Sequence, residues 1–414
     1  MPEEFRLVLL SNIVYSACQW ACVVALAKLG HPTDVGAYAL GVAITSPILM
    51  LANFQGRNLI ASDVRNEYSF GEHLSFRLVC FALAMSSIAA VLAIKRDSHG
   101  LGWIILTVGV AQCFDYISET VFGLLQRHDR LDRVAFSLIL KGPLSLVSLA
   151  VTMKVTHNVL WAVIGLAGGR FLVLMIVDIR NAFLVAGPYK LVWNLRTHRS
   201  LFITAFPLGL ISALGVFNIN IPRYFIETYL GKHDLGLFSA LASLIGAGNL
   251  VIAALASCSV VGLAKAWVAC DTPKYRALSL QLVAVSLLLG GLGVFVALIA
   301  GHTILGVLFS PDYAKNTGAF ARMMIAGAFG YLVSAQGYAM TAARKLVQQI
   351  PMLASAAVIT AVASWYLIPA RGLEGAAEAW VAGSAMLLAC NAIFMGRMLR
   401  SNGLARASLL MKQA

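Results

Sequence analysis

Long apolar stretches separated by short polar and basic segments dominate this chain. The stretches without any charged residue include 7–27, 35–56, 78–94, 200–222 and 235–264. A helix needs about 20 apolar residues to cross the hydrocarbon core of a bilayer. The pattern therefore predicts an all-α polytopic membrane protein with twelve transmembrane helices, over residues 7–28, 36–56, 78–94, 101–125, 134–153, 159–177, 201–222, 235–263, 278–300, 318–341, 350–368 and 373–396.

The positions of the basic residues agree with this number of spans. If the N-terminus is cytoplasmic, the segments on the cytoplasmic side hold 20 Lys and Arg residues and the segments on the other side hold nine. Cytoplasmic loops of membrane proteins carry such an excess of positive charge. The distribution predicts a multi-pass protein of the cell inner (cytoplasmic) membrane with both termini in the cytoplasm.

Composition narrows the classes of function. Of the 414 residues, 60% are hydrophobic and 12% are charged, whereas soluble domains carry roughly 25% charged residues. The formal net charge of +13 lies mostly in connecting segments, so we expect no nucleic-acid partner. The seven cysteines form no CxxC pair, and we assign neither a disulfide nor a metal site. Neither GxxxxGK[ST] nor HExxH occurs in the sequence, so we expect no enzyme activity and no cofactor.

The longest basic connection divides the chain into two halves. We predict an N-terminal six-helix lobe over 1–177, a basic cytoplasmic linker over 178–200, a C-terminal six-helix lobe over 201–396 and a basic cytoplasmic tail over 397–414. The sequence LGHPTDVGAYAL from Leu29 is echoed by LGKHDLGLFSAL from Leu230, each after the first span of its half. Six helices per half predict a parallel repeat about an axis along the membrane normal, which is typical of transporters.

Four ionisable residues fall inside the predicted spans of the first half. Asp115 and Glu119 are four residues apart in the fourth span, Lys141 is in the fifth and Arg170 is in the sixth. A charge at mid-bilayer costs at least about 2.5–3.5 kcal/mol and is retained where it faces protein or water. Counting residues from the cytoplasmic ends predicts one charged layer, with Glu119 beside Lys141 and Arg170, and Asp115 one turn deeper. Such a layer is either a structural ion cluster or a site for a substrate headgroup or for proton or ion coupling.

Polar side chains also recur along one face of the first predicted span. The residues are spaced by three and four along the helix, which places them on one face: Asn12, Tyr15, Ser16, Gln19 and Trp20. A polar stripe facing lipid is unfavourable, so this face is expected to look inward. It lines an aqueous cavity, or it forms hydrogen bonds between helices.

The second half carries isolated arginines toward its predicted outer side. In the seventh span, Asn218 and Asn220 precede Arg223, which either snorkels to the interface or contacts an anion in the transport path. Arg322 lies about one turn into the tenth span. Two further polar residues lie deeper in that span, namely Gln336 and Tyr338.

Four stretches of the sequence resemble a known family. They read NIPRYFIETYLGKHDLGLFSALASLIGAGNLVIAAL from Asn220, SETVFGLLQRHDRLDRVAFSL from Ser118, DVGAYALGVAITSPILMLANFQGRNLIASD from Asp34 and IPARGLEGAAEAW from Ile368. With them the chain resembles, over essentially its whole length, the O-antigen type polysaccharide flippases of the multidrug/oligosaccharidyl-lipid/polysaccharide (MOP) exporter superfamily.

The resemblance implies a fold, a cargo and a set of site residues. It implies two six-helix lobes, related by a pseudo-two-fold axis along the membrane normal, around a V-shaped central cavity. It implies that a polyprenyl-diphosphate-linked oligosaccharide is moved from the cytoplasmic to the outer leaflet, driven by an ion gradient. Besides membrane lipids, it implies a polysaccharide polymerase and a chain-length regulator as partners. Cavity cations would hold the diphosphate, and the matching residues are Lys141, Arg170, Arg223, Arg322 and Arg57. The alternative is a drug/cation antiporter of the same fold, for which Asp115 and Glu119 would be the acids.

Overall fold

The computed structural model describes residues 3–63, 67–95 and 100–413. Arg65 and Arg96, which were counted in the topology prediction, lie outside these residues. The described residues form helices and connecting segments, with no β-strand among them. The helices are α1 Glu3–Leu29, α2 Pro32–Asn53, α3 Gly56–Ser62, α4 Phe70–Lys95, α5 Leu101–Arg127, α6 Leu131–Thr156, α7 Val159–Val173, α8 Ile179–Ala186, α9 Leu195–Tyr229, α10 Lys232–Ser243, α11 Ile245–Val268, α12 Thr272–Leu308, α13 Pro311–Ala314, α14 Thr317–Ala342 and α15 Gln349–Gln413. A π-helical turn, Leu174–Asp178, joins α7 to α8.

The helices confirm the predicted class of membrane protein. Among the described residues, 11 helical segments are long and apolar enough to cross a membrane. The last of them, Gln349–Arg400, has 52 residues, about twice the length that a bilayer requires. Gly372 interrupts it with φ 58° and ψ −134°, a conformation that is essentially restricted to glycine. The segment therefore supplies the eleventh and twelfth spans, and the chain is a multi-pass membrane protein.

Several helix boundaries differ from those predicted by hydropathy, among them those of the third, sixth and eighth spans. Helix α4 begins at Phe70 rather than at 78, which places the buried His73 and Arg77 inside the helix. The sixth span does not end at 177 but continues through the π-helical turn and α8 to Ala186, so that Asp178 is fully buried. The eighth span is divided where α10 ends at Ser243 and α11 begins at Ile245. A hydropathy profile ends a span at a charge, whereas a charge with a partner can be buried within the helix.

Arg77 explains how α2 ends. Phe54 and Gln55, with φ values of 46° and 49°, turn the chain from α2 into α3. The Arg77 guanidinium is 1% exposed and donates to the carbonyl oxygens of Ala52, at 3.2 Å, and Asn53. It therefore satisfies carbonyls that a helix end leaves without intrahelical partners. This turn places α3, and with it Arg57, beside α5.

The chain divides into two compact units. Unit 1 comprises Met1–Phe217 with Gly231–Ala240, and unit 2 comprises Asn218–Leu230 with Leu241–Ala414. The core of unit 1 includes Phe122 and Leu125, packed against residues of α3, α6 and α8. In unit 2, Tyr275 lies in a core of α11, α12, α14 and α15 side chains, and its hydroxyl donates to the Ala339 carbonyl oxygen at 2.8 Å. The predicted lobe boundary over 178–200 stays a prediction.

Candidate functional site

An ion pair inside unit 1 joins the fifth and seventh helices. Arg170 Nη1 of α7 lies 2.7 Å from Asp115 Oδ2 of α5. Arg170 also donates through Nη2 to Gln19 Oε1 of α1 at 2.8 Å and through Nη1 to the Ala111 carbonyl oxygen at 3.3 Å. The guanidinium is nearly buried, and its partners come from two other helices. An arginine in a bilayer is tolerated when protein groups replace its hydration in this way.

Several polar atoms around this pair have no hydrogen-bond partner within the described structure. They are Gln19 Nε2, Trp20 Nε1, Asp115 Oδ1 and Arg170 Nε, all of them buried. Buried polar atoms nearly always bind protein, water or a ligand. Tyr15 also interacts electrostatically with both Asp115 and Arg170. Part of the polar face predicted on the first span is therefore directed at this pair, with atoms available for water, an ion or a polar group of a substrate.

Asn12, the first residue of that predicted face, has a local partner. Its side-chain nitrogen donates to the Val8 carbonyl oxygen of the same helix at 2.7 Å. This bond uses the amide within α1, whereas Gln19 reaches across to α7. In this structure the polar stripe is thus divided between a bond within the helix and bonds between helices.

Lys141 forms a second buried ion pair, with a partner that was not predicted. Its Nζ lies 3.3 Å from Asp178 Oδ2, and the two side chains are 2% and 0% exposed. The Ser137 hydroxyl donates to Asp178 Oδ1 at 2.5 Å. Lys141 Nζ also lies 5.1 Å from the centre of the Phe122 ring. Ser137 and Lys141 are four residues apart on α6, so one face of that helix holds the carboxylate at the end of the π-helical turn.

Glu119 pairs with Arg57 rather than with Lys141 or Arg170. Arg57 Nη1 lies 3.5 Å from Glu119 Oε2, with side chains that are 23% and 34% exposed. Arg57 Nε also donates to Gln126 Oε1 at 3.2 Å. Glu119 also interacts electrostatically with Lys141 and Asp115, and the common layer of the four residues stays a prediction.

The pairing within this region differs from the prediction. We expected Glu119 to pair with Lys141 and Arg170, whereas Arg170 binds Asp115 and Lys141 binds Asp178. The rise per residue gives the depth of a side chain to about one turn, but it does not give the direction in which the side chain points. The signal for Asp178 was indirect: Lys141 required a carboxylate, and Asp178 is the first acid after the sixth predicted span.

In unit 2, Arg223 of α9 has a side-chain amide as its hydrogen-bond partner. It donates to the Asn220 side-chain oxygen one turn earlier on α9. No carboxylate lies within ion-pair distance of it among the residues that the structure describes. Its Nε is buried and has no hydrogen-bond partner there. Asn218 has a different role, since its side-chain nitrogen donates to the Leu353 carbonyl oxygen at 2.8 Å.

The predicted polar residues of the tenth span lie on α14 of unit 2. Gln336 is 9% exposed, and its Oε1 has no hydrogen-bond partner within the described structure. Tyr338 packs against the core cluster that contains Tyr275 and Met340. Gln336 therefore offers an acceptor to a polar group, while Tyr338 contributes to packing.

Arg322 differs from Arg223 because carboxylates surround it. Its guanidinium lies 2.9 Å from Glu374 Oε1 and 3.3 Å from Glu378 Oε1. Glu378 also binds Arg371 at 2.8 Å. These side chains are between 24% and 60% exposed, so the network is screened by its surroundings. Of the five predicted cavity cations, Lys141, Arg170, Arg57 and Arg322 each have a carboxylate partner, and Arg223 has none among the described residues.

Comparison with known proteins confirms the resemblance predicted from the sequence. No family model matches the chain. The chain is similar to the capsular polysaccharide biosynthesis protein CapF of Staphylococcus aureus, with 25% identity over 319 residues, 76% of this chain and 79% of that protein.

Solved structures share its fold at low sequence identity. The lipid II flippase MurJ, in an inward closed conformation, matches with a TM-score of 0.76 and 11% identity over 98% of this chain and 91% of its own. An inward-facing multidrug resistance transporter of the MATE family matches with a TM-score of 0.71 and 14% identity, over 93% and 94% of the two chains. A MOP superfamily transporter from Pyrococcus furiosus matches with a TM-score of 0.66 and 13% identity, over 96% of each chain. The chain has the fold of the MOP-superfamily transporters.

Proposed function

We propose that this chain is a flippase that moves a polyprenyl-diphosphate-linked oligosaccharide repeat unit from the cytoplasmic to the outer leaflet, for the assembly of a surface polysaccharide. The transport fold supports movement of a cargo rather than catalysis. The similarity to a capsular polysaccharide biosynthesis protein and to a lipid II flippase supports a lipid-linked sugar as the cargo. The protein would work in the inner membrane with both termini in the cytoplasm, beside a polymerase and a chain-length regulator.

The proposal rests on the surroundings of Arg223. A diphosphate needs a cation whose charge is not already neutralised, and a guanidinium binds such an anion through two parallel N–H donors. Arg223 offers a charge with no carboxylate partner among the described residues, held by the amide of Asn220 and with its Nε unused. An arginine with a purely structural role in a membrane would be stabilised by a carboxylate partner, as Arg170 is by Asp115. We therefore assign the first diphosphate contact of unit 2 to Arg223.

Arg170 and Asp115 suggest how binding of the cargo could be coupled to binding of a proton. While Asp115 is ionised, it occupies the Arg170 guanidinium at 2.7 Å. Protonation of Asp115 would remove that charge and release Arg170 to bind an anionic headgroup. Proton and substrate would then bind together, so that the binding of one favours the binding of the other through this pair. Glu119, paired with Arg57 in the same region, would modulate this exchange.

The rival function is a drug/cation antiporter of the same fold. The chain shares its fold with a multidrug resistance transporter. A carrier of organic cations requires an acid whose charge is free to bind the drug. Among the acids of unit 1, Asp115, Glu119 and Asp178 each lie within ion-pair distance of a basic side chain. The arrangement therefore supports an anionic cargo better than a cationic one.

The deciding experiment removes the gene from its host and follows the lipid-linked intermediates. We expect polyprenyl-linked repeat units to accumulate with their sugars on the cytoplasmic face, where a glycan-binding probe reaches them only after the cells are opened. Surface polysaccharide should be lost, and the wild-type gene should restore it. An unchanged pool of lipid-linked sugar together with higher sensitivity to cationic drugs would instead establish the antiporter.

A further inference from the structure

Helix α8, the segment that follows it and the start of α9 combine exposed apolar side chains with exposed positive charge. Trp193 is 62% exposed and Leu195 is 85% exposed. Arg180, Lys190, Arg196 and Arg199 are exposed as well, and residues 179–200 include no Asp or Glu. None of these four cations lies within ion-pair distance of a carboxylate in the described part of the chain. We call these six residues the linker surface.

The backbone of this segment is fixed on the protein. The Ser75 hydroxyl of α4 donates to the Val192 carbonyl oxygen at 2.6 Å, and the Thr197 hydroxyl donates to Glu72 Oε1 at 3.2 Å. A Cβ on Gly71 would overlap the Lys190 carbonyl oxygen, so the chain approaches α4 as closely as only glycine allows. The linker surface is therefore presented on a fixed backbone, and the side chains of Trp193 and Leu195 stay largely exposed within the part of the chain that the structure describes.

Tyr189 fixes the start of the segment from its other side. Its ring stacks on Phe183 of α8 with centres 4.8 Å apart and meets the edge of Phe70 of α4 at 4.9 Å. Aromatic contacts of this geometry stabilise beyond the area that they bury. One aromatic ring of the segment thus anchors it to unit 1, while the ring of Trp193 points away from the core.

We propose that the linker surface binds anionic phospholipid of the leaflet that it faces, which the distribution of basic residues predicts to be the cytoplasmic one. The segment continues directly from the apolar helices Val159–Ala186 and Leu195–Tyr229, which places it at the end of two spans. Tryptophan is enriched at the membrane–water interface, and basic residues near an anionic leaflet gain about 1 kcal/mol each. A surface with four cations, no acid and an exposed indole matches the headgroup region of such a leaflet in charge and in depth.

Two simpler roles account less well for this surface. A segment that merely connects two helices through water would not expose Trp193 and Leu195 next to each other, because contiguous apolar exposure is unfavourable. A docking site for an acidic protein would not need to lie at the ends of two membrane spans. The proposal does not depend on the identity of the transported cargo.

The test uses Trp193 as the only fluorophore. The full-length chain would carry Phe at the other six tryptophans, Trp20, Trp103, Trp161, Trp267, Trp365 and Trp380, and would be reconstituted in vesicles of phosphatidylcholine and phosphatidylglycerol. Either lipid is supplied with brominated acyl chains, which quench a tryptophan that they touch. We expect brominated phosphatidylglycerol to quench Trp193 more strongly than brominated phosphatidylcholine at the same mole fraction. Each cation removed should weaken that preference about fivefold.

Two quadruple variants separate this surface from a general effect of charge. The test variant carries Arg180→Gln, Lys190→Gln, Arg196→Gln and Arg199→Gln and should lose the preference for phosphatidylglycerol. The control variant removes four cations from other predicted cytoplasmic segments, through Lys274→Gln, Arg276→Gln, Arg344→Gln and Lys345→Gln, and should keep it. Equal quenching by both lipids in the unmodified surface would overturn the proposal. So would a Trp193 that no brominated lipid quenches but that aqueous acrylamide does, which would point to a protein partner or to open water.

Discussion

Gly36 and Gly236 lie against each other where the N-terminal ends of α2 and α10 cross. A Cβ on Gly36 would lie 3.1 Å from the Gly236 nitrogen and would overlap the Lys232 carbonyl oxygen. A Cβ on Gly236 would lie 3.0 Å from the Gly36 nitrogen and would overlap the Pro32 carbonyl oxygen. The two contacts are equivalent, because Pro32 and Gly36 stand 200 residues before Lys232 and Gly236. The two similar sequence segments, from Leu29 and from Leu230, thus contact each other through equivalent residues.

Replacing either glycine should weaken this crossing. We expect Gly36→Ala or Gly236→Ala to destabilise the protein by about 1–3 kcal/mol, because the added methyl group meets backbone atoms that cannot move independently. The measurement is thermal unfolding in detergent. Gly337→Ala is the matched control, since no atom lies within 4 Å of the position of its Cβ, and it should leave the melting temperature unchanged or raise it slightly. Equal melting temperatures for all three variants would contradict the contact.

The Lys141–Asp178 pair predicts a strong effect of a single substitution and a weak effect of a double one. Lys141→Met leaves a fully buried carboxylate without its cation, which should cost about 3–5 kcal/mol. The double variant Lys141→Met with Asp178→Asn should recover most of that loss, because no unpaired charge remains. Thermal unfolding and the yield of folded protein measure both effects. Lys154→Met, at an exposed position of the same helix, is the control. A single variant as stable as the wild type would show that Asp178 has another partner.

The spans could be predicted from the sequence, but the contacts of the charges within them could not. The number of spans followed from apolar length, whereas the common depth of Glu119, Lys141 and Arg170 is a prediction from the helical rise. The partners depend on the rotation of each helix and on which helices are neighbours, and neither property is encoded in local periodicity. Asp178 and Arg77 were placed outside the spans for a related reason, because hydropathy counts the charge and not the carboxylate, lysine or carbonyl group that compensates it.

Disrupting the Asp115–Arg170 pair should uncouple transport from the ion gradient. With Asp115→Asn, Arg170 would be available to an anionic headgroup at any pH, so we expect tighter substrate binding and transport that no longer depends on the ion gradient. Flux of a lipid-linked oligosaccharide in proteoliposomes, with and without a proton or sodium gradient, measures this directly. Asp132→Asn removes an acid that is 49% exposed and pairs with Arg130, and it should keep the normal dependence. A variant at Asp115 that still requires the gradient would exclude this residue as the coupling group.

Arg223 and Arg322 of unit 2 should differ in their importance for transport, although both were predicted as cavity cations. Arg223→Gln removes a charge that no carboxylate neutralises among the described residues. Because a hydrogen bond to a charged group contributes about 1.5–3 kcal/mol, we expect surface polysaccharide assembly to slow by about tenfold or more. Arg322→Gln removes a charge that Glu374 and Glu378 already balance at an exposed site, where an ion pair contributes about 0–1 kcal/mol.

The comparison requires both variants at equal amounts in the membrane of a strain that lacks the native gene. Rates of surface polysaccharide synthesis, together with the pool of lipid-linked repeat units, then separate a transport defect from poor insertion. Arg223→Lys refines the result, because lysine keeps the charge but loses the planar pair of donors that matches a diphosphate. Partial activity of that variant would support direct binding of an anion. If Arg322→Gln stopped synthesis and Arg223→Gln did not, the substrate would instead contact the carboxylate-paired arginine, and release of Arg322 from Glu374 and Glu378 would have to be part of transport.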